Sequence, residues 1–550
     1  MVFEHQPVKK VHATILVGRI ASTPKSSLTS DVAAGPSHLR RCPRYLLPSL
    51  HDFHSNSHTG GGISGLATAW HLSQRLPHRI PITLFEAQRR TGGWMQSVRL
   101  DRPGGSILFE TGPHSIRPSS IGGLATIELL QQLGMTDQAI FTPNDDITAE
   151  DRYFKHQNQL VLVKMPKSWI GKIRAVVGGH QLIRKSVMGG LKFIAFPRWG
   201  PKDMQDESIG SFMGRMTNET CKNVLLSAIV HGVYAGDIDR LSMRSTFFKP
   251  FWKMYLARRL LLKPPNDDAP LANEMKANIN PGILKTALDS IIYTFPDGTE
   301  TLPRRLFERL QNDGRVTMKL DSPVQAISTG KGGEMKVRST LQSQIYSHVV
   351  STIPLPKLFP LLPYFPRDLA TSFPAPVTVA VVNLYYSPNS VTLPIQGFGY
   401  LIPKTEENPE DALGVILASS NAEVQDQGPS AKGTKLTVMM GGHYWRNRNA
   451  LPSDDELLAA AKTVVGRDLG IATEPAASLV SLQRECIPQY EVGHWERVEK
   501  LNGYLDETFG KDRFMVVGSA IDGVAVGDCV LSARKAAKRL QDMCYPAYAE

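Results

Sequence analysis

The sequence predicts an α/β fold in which a Rossmann-like dinucleotide-binding domain is assembled from both ends of the chain. A glycine-rich turn at 60–65 leads into a helical pattern, and a strand ending in an acidic residue follows at 80–87. Far along the chain, residues 513–540 again have the order strand, glycine-rich turn, helix. A parallel sheet uses these parts to build a dinucleotide site.

Size and composition are those of a globular protein with several domains. The chain has 550 residues, of which 42% are hydrophobic and 21% charged, enough for two or three cores. It has no run of about 18 apolar residues, so a transmembrane helix is not expected. Its five cysteines are scattered without a CxxC pair. That spacing argues against a disulfide framework, a redox dithiol or a metal site.

The first glycine turn, "GGGISG" at 60–65, fits the pattern G-x-G-x-x-G through Gly60, Gly62 and Gly65. Glycines there permit a tight turn and let the backbone approach a pyrophosphate. The helical stretch "ISGLATAWHLSQRL" and the strand "IPITLFEA" follow. Glu86 near the end of that strand is placed to accept hydrogen bonds from the ribose hydroxyls of an adenine dinucleotide.

The strand that should end at this turn stands too early in the chain. "VHATILVG" at 11–18 reads as that strand, and a segment rich in Ser, Pro, His and Arg separates it from the turn. We hypothesise that residues 19–59 do not belong to the working protein, as a retained intron would explain. Alternatively, the segment is a genuine surface excursion, or residues 1–59 form a targeting presequence.

A second glycine turn favours FAD over NAD. "RRTGGWMQSVR" at 89–99 and "ILFETGPHSIRP" at 107–118 follow the ribose acid closely, an order typical of flavoproteins that enclose their cofactor. The C-terminal turn places a helix N-terminus where its free N–H groups can face the flavin ring or a phosphate.

The stretch 152–202 holds eleven Lys and Arg residues and no Asp or Glu, interleaved with apolar residues. This pattern suits an anionic membrane surface, although an ordinary helical domain with a solvated basic face also accounts for it. No nucleic-acid recognition motif accompanies the charge, so nucleic acid is not an expected partner.

The motifs after residue 60 resemble the flavin amine oxidase superfamily and, more closely, its protoporphyrinogen oxidase family. The most specific segments are "GFGYLIP" at 397–403, "CIPQYEVGHW" at 486–495 and "GVAVGDC" at 523–529. The resemblance implies six-electron oxidation of protoporphyrinogen IX through FAD, with dioxygen reduced to hydrogen peroxide, in haem biosynthesis. It also implies peripheral attachment to the mitochondrial inner membrane on its intermembrane-space side, a homodimer and contact with ferrochelatase.

The resemblance assigns site residues by matching motifs. The implied FAD contacts are Gly60, Gly61, Gly62, Ile63, Ser64, Gly65, Glu86, Ala87, Arg90, Trp94, Gly112, Pro113, His114, Ser115, Val324, Ser519, Val524, Ala525 and Val526. The implied substrate contacts are Arg152 for a propionate and Phe398, Leu401 and Met439 for the macrocycle. No catalytic acid–base pair is expected, because hydride transfer from a meso carbon is chemistry of the flavin.

Two histidines depart from the family pattern. His114 and His231 stand where other members have arginine, and histidine carries less positive charge near neutral pH. From sequence alone, Val324 is also consistent with an ordinary core residue.

The expected organisation has three regions. An FAD-binding domain uses residues 1–120, 280–330 and 500–550, a helical membrane-binding region uses 150–270, and an inserted α+β substrate domain uses 330–500. Another flavin amine oxidase or a polyene desaturase is the alternative enzyme. A flavin-fold membrane protein without catalysis is the alternative of a different class.

Overall fold

Two principal sheets organise the fold in a computed structural model of the chain. The structure describes residues 13–16, 60–146, 151–163, 181–195, 201, 203–258, 267–330, 333–419 and 423–544. One sheet has five strands and the other seven, with helices packed on both. The predicted α/β class is confirmed.

The five-stranded sheet is parallel and carries the predicted dinucleotide-binding elements. Its strands, in spatial order, are Phe514–Val516, His348–Ser351, Ala13–Leu16, Ile82–Phe85 and Val316–Lys319. The sequence therefore located the first strand correctly, since Ala13–Leu16 lies at the centre of the sheet. The hypothesis about residues 19–59 concerns a segment outside the described residues.

Helix Ile63–Arg75 packs against this sheet and against the C-terminal helix Val526–Cys544. Its fully buried Leu66 and Leu72 lie in one apolar core with Val530 of the C-terminal helix. Two helices that are more than 400 residues apart in the sequence therefore share one core.

The seven-stranded sheet carries the candidate substrate residues. Its strands, in spatial order, are Ala477–Ile487, Val377–Tyr386, Thr434–Gly441, Ala412–Ile416, Gly399–Leu401, Arg152–His156 and Gln159–Leu162. Helix Asp454–Leu469 covers one face with an apolar core. The helix begins with a capping box, in which Ser453 and Glu456 satisfy each other's backbone N–H groups.

Smaller elements complete the architecture. The remaining strands are Val324–Thr329, Met335–Ser339 and Ser343–Tyr346 in a three-stranded sheet, and the pairs Ser97–Arg102 with Gly105–Glu110 and Ile140–Pro143 with Ser290–Thr294. The remaining α-helices among the described residues are Ile121–Leu133, Gln181–Ala195, Ile209–Met216, Ser227–Tyr234, Lys249–Leu256, Ala269–Asn278, Pro281–Leu288, Thr301–Gln311, Leu355–Leu358, Arg367–Ser372 and His494–Phe509. No helix in the described part of the chain is both long and apolar enough to cross a membrane.

Two strands lie in a sheet other than the one their sequence position suggests. Arg152–His156, from the range predicted as helical, pairs with Gly399–Leu401 in the seven-stranded sheet. His348–Ser351, from the range predicted as substrate domain, pairs with Ala13–Leu16 in the parallel sheet. Strand pairing between distant segments decides both cases, and local sequence patterns do not record it.

A chain lacking residues 19–59 should bind more FAD than the complete chain, because the central strand then leads directly into its glycine turn. A chain lacking residues 1–59 should fail to fold, because Ile82–Phe85 and His348–Ser351 lose the strand between them. Flavin absorbance and circular dichroism of the three purified proteins measure this. Equal FAD content in the complete and shortened chains identifies the segment as a tolerated excursion. FAD binding without residues 1–59 contradicts the role of the strand.

Candidate cofactor and substrate site

Two glycine turns and an acidic residue meet at the carboxyl edge of the parallel sheet. The Gly61 N–H donates to Glu86 Oε2 at 2.6 Å, and the Gly92 N–H donates to the Gly61 carbonyl at 2.7 Å. The structure thus brings together three parts that the sequence assigned to one dinucleotide. Ligands bind at this edge in open parallel sheets.

The first turn leaves no room for side chains at two positions. A Cβ on Gly65 would lie 1.6 Å from the Gly60 carbonyl oxygen, and one on Gly61 would lie 2.9 Å from Thr91 Cγ2. The helix that starts at Ile63 has no side-chain cap. Its first N–H groups, including that of Ser64, can therefore serve a ligand, and an anion is favoured there.

Glu86 is fully buried at the end of its strand. Its carboxylate accepts from the backbone N–H of Gly61 and, at 2.7 Å, from that of Gln88. These bonds hold the acid beside the turn, and Ala87 follows, half-buried. The contact with a ribose stays a prediction.

The second turn is fixed by Arg90. Its guanidinium donates to the carbonyls of Thr91 at 3.0 Å and Gly93 at 2.5 Å. Trp94 follows, and a Cβ on Gly112 would lie 2.0 Å from the Trp94 carbonyl oxygen. The two predicted cofactor segments are therefore in direct backbone contact.

His114 follows Gly112 and Pro113 in the second segment. Its Nε2 is buried without a hydrogen-bond partner among the described residues. Burial, and secondarily the charge of Lys435, lowers the pKa of His114 to about 4. The imidazole is therefore neutral at physiological pH and supplies no fixed charge.

The C-terminal turn reaches the same place from the other end of the chain. A Cβ on Gly518 would lie 2.6 Å from Ser64 Oγ. The Tyr490 hydroxyl donates to the Ser519 carbonyl and accepts from the Gly523 N–H at 2.9 Å. Residues 524–526 then lead into the C-terminal helix.

Val324 is fully buried and packs in an apolar core with Phe85 and Tyr346. Its side chain therefore has an ordinary packing role. The predicted contact with adenine remains untested.

The candidate substrate residues lie on one face of the seven-stranded sheet. Arg152 pairs in register with Gly399, and two residues further along each strand Phe154 pairs with Leu401. Leu401 pairs with Gly414, which pairs with Met439. Because a strand repeats its side-chain direction every two residues, Arg152, Leu401 and Met439 point to the same side.

Phe398 lies directly before strand Gly399–Leu401 and contacts Arg152. The Arg152 guanidinium carbon lies 5.3 Å from the centre of the Phe398 ring, within cation–π range. Leu401 and Met439 instead contact other apolar clusters, on the Phe154 side and the Val379 side respectively. The structure therefore brings two of the four substrate residues into contact and places the other two further along the same face.

Arg152 forms no ion pair with any residue that the structure describes. Burial, and secondarily the positive charge of Arg117, lowers its pKa. A half-buried cation beside a second cation, with no carboxylate partner among the described residues, is suited to an anionic ligand.

A small cavity of about 30 Å³ lies between the two sets of predicted residues. It is lined by Phe398 from the substrate set and by His114 and Ser115 from the cofactor set. We call it the Phe398 cavity. One predicted substrate residue and two predicted cofactor residues therefore line the same cavity.

The family is decided by comparison with known sequences. The pattern of flavin-containing amine oxidoreductases matches residues 63–541, which is most of the chain. The chain belongs to this family. A flavin-containing amine oxidoreductase is an FAD-dependent oxidoreductase, so the predictions of cofactor and enzyme class are confirmed.

Curated relatives in the flavin-containing amine oxidoreductase family show which members of that family the chain resembles. A protoporphyrinogen oxidase of Schizosaccharomyces pombe is 31% identical over 506 residues, covering 88% of this chain and 98% of that protein. A protoporphyrinogen oxidase of Homo sapiens is 32% identical over 490 residues, covering 87% of this chain and 96% of that protein. The resemblance drawn from the motifs is confirmed.

A solved structure from Exiguobacterium sp. 255-15 superposes with a TM-score of 0.67 at 22% identity, covering 88% of this chain and 97% of that chain. At this level of identity the likeness shows the fold, and it confirms the predicted fold class.

The described residues fit FAD, the cofactor of flavin-containing amine oxidoreductases. Gly61 and Gly65 leave a cradle that a Cβ would fill. Helix Ile63–Arg75 begins without a side-chain cap, and His114 keeps an unsatisfied ring nitrogen in the Phe398 cavity. The phosphates of a dinucleotide suit the glycine cradle and the uncapped helix start, and its polar ring system suits the His114 nitrogen.

Sequence reasoning missed three polar residues of the Phe398 cavity: Glu110, Asn383 and Lys435. The Asn383 amide donates to the Glu110 carbonyl at 2.9 Å. Lys435 Nζ donates to the Leu108 carbonyl at 3.1 Å and to Asp426 at 2.9 Å. The feature of the sequence that could have identified them is a polar residue within an otherwise apolar strand.

Replacing Glu110 with glutamine should give a stability difference that depends on pH. Burial raises the pKa of Glu110 to about 7, so the folded state holds a proton that the unfolded state releases near pH 4.5. Native stability therefore falls as pH rises from about 4.5 to 7, whereas the variant lacks this loss. The free energy of unfolding of the native protein, measured relative to that of Glu110→Gln, should therefore fall by on the order of 3 kcal/mol between pH 5 and 8.

Urea unfolding of both proteins at pH 5, 6, 7 and 8 measures this difference. A difference that is constant across the four pH values would contradict the prediction.

Proposed function

We propose that this protein oxidises protoporphyrinogen IX to protoporphyrin IX with dioxygen as the final electron acceptor. The contact between Arg152 and Phe398, whose ring lines a cavity with the predicted cofactor residues His114 and Ser115, carries the proposal. The names of the relatives support the choice of substrate. Their similarity extends over nearly the whole chain.

The reaction balances as three two-electron oxidations. Six electrons and six protons leave the substrate, and three dioxygen molecules take them up to give three hydrogen peroxide molecules. FAD, when bound, supplies the acceptor for each electron pair.

The protein's contribution is binding and orientation. Arg152 holds a propionate, because a guanidinium matches the geometry of a carboxylate. The Phe398 ring covers the apolar macrocycle, and Leu401 and Met439 extend the wall along the sheet. Fixing the macrocycle in this way keeps a meso carbon near the cofactor segments.

We extend the proposal to location. The rings of Phe247 and Phe251, 43% and 41% exposed, both contact Phe248, with ring centres 4.3 and 6.3 Å from its own. Arg244 and Lys249 lie over the half-exposed Trp495 at 5.3 and 5.5 Å. Aromatic and basic side chains together suit the anionic surface of a membrane. The proposed location is the intermembrane-space side of the mitochondrial inner membrane.

We also propose, from the resemblance alone, that the protein forms a homodimer and hands its product to ferrochelatase.

Replacing Arg152 with alanine should raise KM for protoporphyrinogen IX about tenfold or more, with FAD content unchanged. Arg152→Lys should recover part of the loss, and Arg338→Ala, an exposed arginine on the three-stranded sheet, should have no effect. Porphyrin fluorescence in air, with peroxide assayed in parallel, measures turnover. An FAD-loaded chain that forms no porphyrin but oxidises an amine or a polyene would overturn the proposed substrate.

Replacing Phe247 and Phe251 together with serine should weaken binding to vesicles containing anionic lipid. The change removes two exposed apolar rings, each suited to partial insertion into the interface. The control replaces Leu341 and Ile345 with serine. These two residues are 71% and 58% exposed, and they lie in the last strand of the three-stranded sheet and the turn before it. Cosedimentation measures bound protein. Equal binding of both double variants and the native protein would contradict membrane contact through this surface.

A further inference from the structure

A second cavity lies between the glycine turns and the substrate domain. Its volume is about 40 Å³. Trp94 and Ser519, both predicted to contact the cofactor, line it from opposite ends of the chain, together with Thr352 and His494. We call it the Trp94 cavity. Neither Thr352 nor His494 belongs to a segment for which the sequence implied a cofactor contact.

Thr352 stands at the carboxyl edge of the parallel sheet, directly after strand His348–Ser351. Its hydroxyl oxygen is buried and has no hydrogen-bond partner among the described residues. A Cβ on Gly65 would lie 3.3 Å from that oxygen. The hydroxyl therefore faces the glycine turn with an unused donor.

His494 is 4% exposed at the start of helix His494–Phe509. Its ring stacks on Tyr490 at 4.2 Å between centres, and Tyr490 is bonded to the Ser519 carbonyl. In the described part of the chain, neither ring nitrogen has a partner in full hydrogen-bonding geometry, although the Ile521 backbone lies close enough to favour the protonated ring. Desolvation lowers the pKa of His494 to about 3, so the neutral ring offers one donor and one acceptor.

Buried polar groups in native proteins nearly always have hydrogen-bond partners, so an unpartnered one requires an explanation. Two such groups line one cavity, and two predicted cofactor contacts line it with them. If His494 served only to stack on Tyr490, a phenylalanine would stack equally well and would bury no hydrogen-bond donor or acceptor. A histidine at this position therefore indicates a role in hydrogen bonding.

We propose that Thr352 and His494 bind the FAD cofactor in the Trp94 cavity. Thr352 donates its hydroxyl proton to a cofactor oxygen near the glycine turn. His494 supplies a donor and an acceptor, which suit the alternating polar groups of a flavin ring edge. The assignment rests on FAD as cofactor and is independent of the proposed substrate.

The test compares release of FAD from the holoenzyme in Thr352→Val and His494→Phe with release from the native protein. Thr352→Val keeps the shape of the side chain, and His494→Phe keeps the stacking on Tyr490. Both variants lose the proposed hydrogen bonds. Each should release FAD about tenfold faster or more, followed as the gain in flavin fluorescence after dilution. The thermal midpoint of the FAD-free chain should stay the same or rise, because each change removes an unpartnered buried group.

Two control variants sharpen the comparison. Thr352→Ser keeps the hydroxyl and should release FAD at nearly the native rate. Tyr386→Phe removes another buried, unpartnered hydroxyl, in the apolar core on the other face of the seven-stranded sheet, and should leave FAD release unchanged.

Native rates of release in Thr352→Val and His494→Phe would overturn the proposal. A fall in the thermal midpoint of the FAD-free chain that matches the loss of FAD would also overturn it, because that result assigns both residues a structural role. Porphyrin formation does not enter the measurement, so a failure of the proposed substrate is seen separately.

Discussion

The pairing of strand Ala13–Leu16 with a neighbour on each side is the constraint on which the site depends. It sets Ile82–Phe85 and His348–Ser351 at fixed positions, so that Glu86 and Thr352 emerge at the same edge. Parallel strands present their carboxyl ends together. A displacement of the central strand would therefore separate the glycine turn, the acid and the wall of the Trp94 cavity at once.

A few buried hydrogen bonds then orient the substrate sheet against the cofactor segments. The Asn383 amide donates to the Glu110 carbonyl, and the Gln483 amide donates to the Thr111 carbonyl at 2.7 Å. The Thr437 hydroxyl donates to Asn383 Oδ1 at 2.7 Å and so holds the amide in one orientation. Each bond contributes about 1 kcal/mol net, but a buried group left unpaired costs more. The bonds therefore specify one placement of the sheet.

Local chemistry was readable from the sequence, and the register of distant strands was not. The glycine turn, its helix and Glu86 were predicted because neighbouring residues determine them. The early strand was located because a parallel sheet needs one before the turn. Glu110, Asn383 and Lys435 were missed because only strand pairing brings them into one cavity. Phe398 was assigned by resemblance, and its contact with Arg152 depends on a pairing across about 250 residues.

The packing of the C-terminal helix Val526–Cys544 on helix Ile63–Arg75 has a consequence for synthesis. The first helix leaves the ribosome long before its partner, with Leu66 and Leu72 uncovered. Strand Phe514–Val516, at the edge of the parallel sheet, is also among the last parts made. Contacts between such distant segments form slowly and expose apolar surface in the meantime. The nascent chain therefore needs protection from aggregation until helix Val526–Cys544 has been made, and cofactor capture follows that step.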